Sequence, residues 1–354
     1  MLITLKMLIS LIIYRLAGPH CRPEAPRRHA PADPVLRGVL RIAIYICQLS
    51  LEFYIENAET LENFPRKMTV CISNGRSFCD LSYRLFGEAL QATGRIITYS
   101  ICPLIAGCDE SIWTYYKDHA HLSINQCPQE DNTRTWSSFT FHIDDNNAFP
   151  RRADAAGPGY SNDLDFFLVG YKELQDWEVP QSLAEYRSQY SLFATLAAPM
   201  IFSADIRGTQ NGTFIGHNGV HHSTYNGWTA ELQTILLNKE VIAVSQDALG
   251  KQGRLVHTLQ QNPGNITVKI YVRQLSGDAL AVAVLNRGDA NVTVISVEFE
   301  DIGVPARKSA ASVRDLWAGA AIGESQAGRC LRPKSCFEVP RLATHDTAMF
   351  RLTF

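Results

Sequence analysis

Apolar and polar residues recur along this chain with two different periods, and the change from one to the other divides it. From about residue 40 to 250, short apolar runs are separated by stretches with helical spacing. Ile42-Ala43-Ile44-Tyr45-Ile46 reads as a buried strand. Residues 56–64 place apolar side chains at helical intervals and stop at Pro65. Residues 68–72 read as another short strand, followed by the turn Ser73-Asn74-Gly75. Tyr83, Phe86 and Leu90 mark an amphipathic helix that Gly94 ends, and 96–101 is the next strand. Further on, 166–169 predicts a strand, 183–196 a helix closed before Pro199, 200–202 a strand, and 232–237 part of a helix. Strand alternating with helix over this length predicts a parallel α/β architecture, best fitted by a (β/α) barrel.

After Gly253 the helical period disappears. Runs at 268–272, 279–285, 292–299, 312–317 and 348–353 are short, β-rich and separated by Gly, Asp and Asn turns. That pattern predicts an antiparallel β-sandwich. The boundary falls near 250–257, so the expected division is an N-terminal segment 1–39, a barrel domain 40–252 and a sandwich domain 253–354. Residues 1–17 are apolar but carry Lys6 and Arg15 inside the stretch. No window reaches the roughly 20 apolar residues of a membrane span. A signal peptide or anchor remains compatible, although the basic residues do not precede the apolar core. Residues 18–35 are rich in Pro, Arg and His without periodicity and read as disordered.

Composition narrows the function classes. With 33 Lys+Arg against 35 Asp+Glu, the chain has a formal net charge of −2 and no basic excess to attract nucleic acid. A single copy and an oligomer are both compatible with this balance. Three sequons occur, at Asn211, Asn265 and Asn291. Together with nine cysteines they point to an oxidising, secretory compartment. Cys330 and Cys336 bracket a short polar loop that a local disulfide could close; the odd total leaves at least one thiol outside any internal pair.

The stretch with the most chemistry is Ala156-Gly157-Pro158-Gly159-Tyr160-Ser161-Asn162-Asp163-Leu164-Asp165-Phe166. A Gly/Pro turn runs into two carboxylates and then into the apolar run 166–169. This reads as a loop feeding a buried strand with Asp163 and Asp165 at its entrance, where barrel enzymes hold catalytic carboxylates. Asp-x-Asp beside glycine is also common turn chemistry, so the same residues read equally as a turn with two solvated carboxylates. His217, His221 and His222 cluster in a Gly-rich stretch. No carboxylate or cysteine completes a ligand set around them, so neither a metal nor another cofactor is expected. Asp205-Ile206-Arg207 reads as a sugar-site lining or a local ion pair, and Trp113, Tyr115 and Tyr116 as stacking or core aromatics.

Several stretches resemble one family. Residues 237–253, Leu-Asn-Lys-Glu-Val-Ile-Ala-Val-Ser-Gln-Asp-Ala-Leu-Gly-Lys-Gln-Gly, are similar to the "NKEVIAINQDPLGKQG" segment of the α-galactosidase family of retaining glycoside hydrolases. Residues 157–166 resemble its "GPGGWNDPDM" loop, 89–95 its "ALNxTGR", 99–102 its "YSLC" and 312–317 the "VRDLW" of its C-terminal domain. The resemblance covers about residues 40–354 in consistent order. It implies a (β/α)8-type barrel, followed by an antiparallel β-sandwich, that hydrolyses terminal α-linked galactose with retention. Two carboxyls about 5–5.5 Å apart would serve as nucleophile and acid/base. The implied partner is an α-galactoside oligosaccharide or glycoconjugate, and the implied location secreted or vacuolar.

Carried over residue by residue, the resemblance makes Asp131 the acid/base, by its distance from Trp136 and from the Gly-Pro-Gly turn. Asp163 and Asp165 become ligands of the sugar hydroxyls. The family's nucleophile lies in a K-x-D-x-C motif, which here reads Lys67-Met68-Thr69-Val70-Cys71. Lys67 would contact the sugar, but the nucleophile position holds Thr69, which supplies no charge to an oxocarbenium-like transition state. Gln126-Cys127 replaces the family's Trp-Arg pair, and Pro103 replaces a Glu. Nothing corresponds to the early D-D-x-W segment, and the first two β/α units have no counterpart. The barrel is therefore expected to be incomplete at its N-terminal strands. Three accounts follow: an active α-galactosidase whose 5′ exons are mis-assembled in this sequence, a catalytically inactive glycan-binding relative, and an enzyme of altered mechanism.

Overall fold

The computed structural model describes residues 76–101, 113–124, 135–169, 181–202, 213–215, 221–223, 229–261, 266–305, 312–322, 336–339 and 341–354. The elements predicted at 42–46, 56–64 and 68–72 lie outside these residues.

Helix α1 (Arg76–Ala92) opens the described chain. Its Tyr83, Phe86 and Leu90, spaced one turn apart, pack on a cluster of Tyr99, Ile101, Tyr116 and Tyr160. Tyr116 is thereby a core residue. The chain continues through β1 (Ser100–Ile101), α2 (Trp113–Lys117), β2 (Leu122–Ile124), α3 (Trp136–Ala148), α4 (Arg152–Ala155) and β3 (Ser161–Asp163). The three strands pair in parallel in the order β1-β2-β3. A further parallel bridge joins Phe167 to Phe202.

Two predicted strands, 166–169 and 200–202, shrink to that single bridge. Their apolar residues are buried by packing: the Phe167 ring lies 4.9 Å from Phe193, 5.7 Å from Tyr190 and 6.2 Å from Phe202. A short apolar run reports burial, and the ladder hydrogen bonds are a separate matter. Helix α3 escaped the pattern for the opposite reason. Its buried positions mix Phe139 and Ile143 with Thr140, His142, Asp145 and Asn146, so its apolar stripe is narrow and interrupted by polar residues. It starts where the Thr135 hydroxyl accepts from the Ser138 N–H at 3.3 Å.

Helix α5 (Leu183–Thr195) matches its predicted span and begins with a capping box between Ser182 and Glu185. The hairpin β4–β5 (Thr213–Ile215, His221–Ser223) and the helices α6 (Ala230–Leu236) and α7 (Lys239–Ser245) complete this half.

The remainder is antiparallel. Strands β6 (Arg254–Gln261), β7 (Ile266–Leu275), β8 (Ala279–Asn286), β10 (Ser312–Asp315), β11 (Ala320–Ala321) and β13 (Thr347–Thr353) form one sheet in the order β11-β10-β13-β8-β7-β6. Strands β9 (Ile295–Glu298) and β12 (Cys336–Val339) form a second. Both faces of the large sheet are covered, and β8 shows how. Its Val282 and Val284 enter the cluster with Val297, Phe337 and Val339 of the small sheet. The alternate residues Ala279, Ala281, Ala283 and Leu285 enter the cluster that holds Tyr186, Tyr190 and Phe193 of α5. Because successive side chains point to opposite faces, valines fill the sandwich side and the three alanines on the other side admit the helix.

Polar clamps cross the junction between the two halves. Arg187 of α5 makes a two-pronged pair with Asp346, its Nε donating at 2.7 Å. Arg314 of β10 donates to both Glu240 oxygens of α7, at 2.6 and 2.8 Å. Asp247 accepts from the Ser276 N–H at 3.0 Å and from its hydroxyl at 2.7 Å, at the turn between β7 and β8. Arg273 of β7 is buried and donates to the carbonyl of Ala194 in the last turn of α5. A cation suits that end of a helix. Burial brings its guanidinium down to about 10, against the pull of Asp247.

Candidate functional site

The Gly157-Pro158-Gly159-Tyr160 stretch folds as a closed turn. Gly157 and Tyr160 exchange both backbone hydrogen bonds at 3.0 Å. Gly159, with φ +89°, occupies the position a type II turn reserves for glycine, after Pro158. The turn delivers the chain into β3, whose last residue is Asp163. The ordered strand therefore lies before the carboxylates and includes the first of them; the stretch expected to be the strand follows them. Asp163 and Asp165 are both buried, so the reading as solvated turn residues fails.

The two acidic residues are locally coupled. Asp163 Oδ1 accepts from the Asp165 N–H at 2.9 Å. Asp165 sits at φ +71°, a left-handed conformation that Asp tolerates better than most residues because its short side chain bonds locally. A buried carboxylate is thus set directly after a strand end, in a backbone conformation held by its neighbour.

The register of the sheet places this pair. Ile124, the last residue of β2, pairs with Asp163, the last residue of β3, and the strands run parallel. Both therefore end at the same edge of the sheet. The stretch that carries Asp131 starts immediately after Ile124; Asp131 itself, like Lys67 and Thr69, lies outside the described residues. Further along, at the start of α3, the Trp136 ring stacks on His345 of the sandwich, 4.7 Å between centroids.

Behind the carboxylates lies a buried polar network that sequence reasoning missed. Arg152 Nη1 donates to Asp145 Oδ2 at 2.6 Å, with both side chains almost completely buried. Asn162 Nδ2 donates to the Arg152 carbonyl and to Gln252 Oε1, each at 2.6 Å. Gln252 Nε2 in turn donates to Asn146 Oδ1 at 3.1 Å. His142, Asp145, Asn146, Arg152, Asn162, Asp163 and Leu164 line a small cavity of about 10 Å³, room for about one water. No spacing rule links residues 146, 162 and 252; the one available signal was that Asn162 and Gln252 both lie in stretches carrying the family resemblance. Among the described residues no group of three or more His, Cys, Asp or Glu is placed to hold a metal. His221 and His222 fall on β5, and His217 lies outside the described residues, as do Trp113's side chain and 205–207.

Comparison with known proteins agrees with this arrangement. Residues 43–215 match the family model described as α-galactosidase A, and 266–352 match the α-galactosidase C-terminal β-sandwich domain. The chain belongs to the α-galactosidase family. α-Galactosidase 3 of Arabidopsis thaliana is 33% identical over 267 residues, which cover 75% of this chain and 50% of that protein. The α-galactosidase of Oryza sativa subsp. japonica is 30% identical over 267 residues, 75% of this chain and 54% of its own. The chain thus spans about half the length of these curated relatives. α-Galactosidase I from Mortierella vinacea superposes with a TM-score of 0.54 at 21% identity, over 77% of this chain and 62% of that one. A Saccharomyces cerevisiae α-galactosidase solved with raffinose gives 0.55 at 18%, over 77% and 68%. A β-L-arabinopyranosidase from Geobacillus stearothermophilus gives 0.57 at 18%, over 79% and 55%. At these identities the likeness establishes the fold: a (β/α) barrel followed by a β-sandwich. Among the described residues no helix is long and apolar enough to cross a membrane.

Proposed function

We propose that this chain carries the terminal α-galactoside site of a retaining hydrolase. The observation that carries the reading is the buried Asp163–Asp165 pair at a strand end, inside a segment that matches the α-galactosidase family. Asp163 and Asp165 accept hydrogen bonds from sugar hydroxyls, and Lys67 donates one. Asp131 holds the acid/base position, the group that in a retaining reaction protonates the glycosidic oxygen while a carboxylate nucleophile displaces the aglycone at C1, and then takes a proton from the water that hydrolyses the glycosyl ester. The shared edge of β2 and β3 supports this assignment, because the stretch bearing Asp131 starts beside Asp163. No cofactor enters the reaction. The site lies in a barrel domain, 40–252, that a sandwich domain, 253–354, follows.

The nucleophile position holds Thr69. A hydroxyl with no base to activate it forms no glycosyl ester and leaves the developing oxocarbenium charge uncompensated. That residue favours a second reading, a glycan-binding relative that does not turn substrate over. Purified chain should hydrolyse an aryl α-galactoside no faster than a Thr69→Ala control, while Thr69→Asp raises turnover about tenfold or more. Galactose bound with no gain in Thr69→Asp would leave glycan binding as the function. Turnover by the unaltered chain clearly above the Thr69→Ala control would overturn the assignment of position 69.

The proposed location is the secretory pathway or vacuole. Asn291 is exposed, its Oδ1 accepting from the Thr344 N–H at 3.1 Å, in a geometry compatible with glycosylation. Cys336 is disulfide-bonded, and Cys330 is its proposed partner.

A further inference from the structure

Of the four connecting residues just before β6, Gly250 and Gln252 make close contacts with the stretch that carries Asp163 and Asp165. Gly250 has φ +59°, and a Cβ there would lie 2.8 Å from Gly157 C and Pro158 N. The connector is therefore pressed against the backbone of the turn that feeds β3. Gln252, two residues on, accepts from Asn162, the neighbour of Asp163, and is braced by Asn146 of α3. Gly253 is wedged in turn: its N–H donates to Thr195 O at 2.9 Å, and a Cβ would lie 2.5 Å from that oxygen and 2.9 Å from Val272 O. The connector thus has one end fixed between α5 and the sandwich strand β7, and its middle bonded to β3.

From this juxtaposition we infer that Gln252 is a positioning residue: it transmits the docking of the sandwich to the Asn162–Asp165 segment and so holds the two carboxylates in register. Both Asn162 amide hydrogens are committed, one to Arg152 O and one to Gln252 Oε1. That side chain cannot rotate without breaking a buried bond, and the backbone of Asp163 follows it directly. Asp163 then holds Asp165 through the 2.9 Å bond to its N–H. The connection passes Asn146, Gln252, Asn162, Asp163 and Asp165 in sequence, each step a buried hydrogen bond or a peptide bond. Buried amides satisfied in this way have few alternative partners, and a network of them specifies one arrangement. As a consequence, the sandwich acts on galactoside affinity without touching the sugar. The role in affinity rests on Asp163 and Asp165 being sugar ligands; the role in ordering the loop does not.

Hydrogen exchange of the full chain separates the two. Gln252→Ala should speed exchange about tenfold or more in peptides covering 157–166, and leave peptides of β8 unchanged. Asn146→Ala, which removes only the brace, should give a smaller effect in the same peptides. Gln274→Ala is the control: Gln274 accepts from Lys251 at 2.8 Å on the exposed side of the connector and touches none of these residues. Unchanged exchange at 157–166 in both Gln252→Ala and Asn146→Ala overturns the inference, as does an equal rise across β8, which would mean general loosening. Galactose binding by calorimetry is the second readout, with Gln252→Ala expected to weaken it about fivefold or more. Loss of protection at 157–166 alongside an unaltered chain that binds no galactose would sustain the positioning role and refute the sugar-ligand reading.

Discussion

At the scale of single residues, the site depends on how Asp163 spends its carboxylate. One oxygen accepts from the Asp165 N–H and so supports a left-handed residue that few side chains tolerate. Asp163→Ala leaves that buried donor without its acceptor and should cost ~1–3 kcal/mol. Asp163→Asn keeps an oxygen in the same place and should cost less than half as much. Urea unfolding of the two variants checks this; equal losses would mean that the hydrogen bond is not what stabilises the turn. Asp163 and Asp165 were legible in the sequence because acidic residues beside a Gly-Pro-Gly turn form a local pattern. Asn146 and Gln252 were not, since their significance arises only when segments distant in the chain meet.

At the scale of elements, β8 shows what alternation can and cannot tell. The run Ala279-Leu280-Ala281-Val282-Ala283-Val284 reads as an ordinary strand, and it is one. Its alanines carry information that only the neighbour reveals: α5 lies over them, and a larger side chain would have to displace a packed helix. Ala281→Leu should therefore destabilise the protein by ~1–3 kcal/mol, despite raising the strand's hydrophobicity. A thermal melt that shows Ala281→Leu at or above the unaltered protein would refute the packing assigned to this face. Helix α3 is the complementary case. Its inward face is mixed: Phe139 and Ile143 enter the core, while His142, Asp145 and Asn146 border the network around Arg152, so the helical period is weak in an element that the tertiary structure needs there.

At the scale of the whole molecule, the junction between barrel and sandwich is held by ionised groups. The Arg314 hydrogen bonds hold the Glu240 carboxyl below its usual range. For Asp247, burial pushes the carboxyl up, but the bonds from Ser276 and the Leu249 N–H outweigh it and the net shift is downward. A carboxyl whose value is lowered by folding contributes stability that is fully present above its unfolded value, about 4. That contribution is lost as pH falls through the lowered folded value. The melting temperature should thus drop on going from about pH 6 to about pH 3, and a Glu240→Gln/Asp247→Asn double variant should drop by less. Parallel curves would show that these clamps do not set the acid sensitivity.

The sequence by itself determined the division into an alternating β/α half and an all-β half, the span of α5, the second half of α1 and the family, because periodicity and contiguous motifs are local properties of a chain. It also placed the two carboxylates beside their turn. The tertiary structure decided that the ordered strand takes in Asp163 and ends before Asp165, that both carboxylates are buried, and that Gln252, 90 residues further on, bonds to Asn162 beside them. Those facts depend on which surfaces meet when the sandwich docks on the barrel, and no periodicity within either half encodes where the other will press.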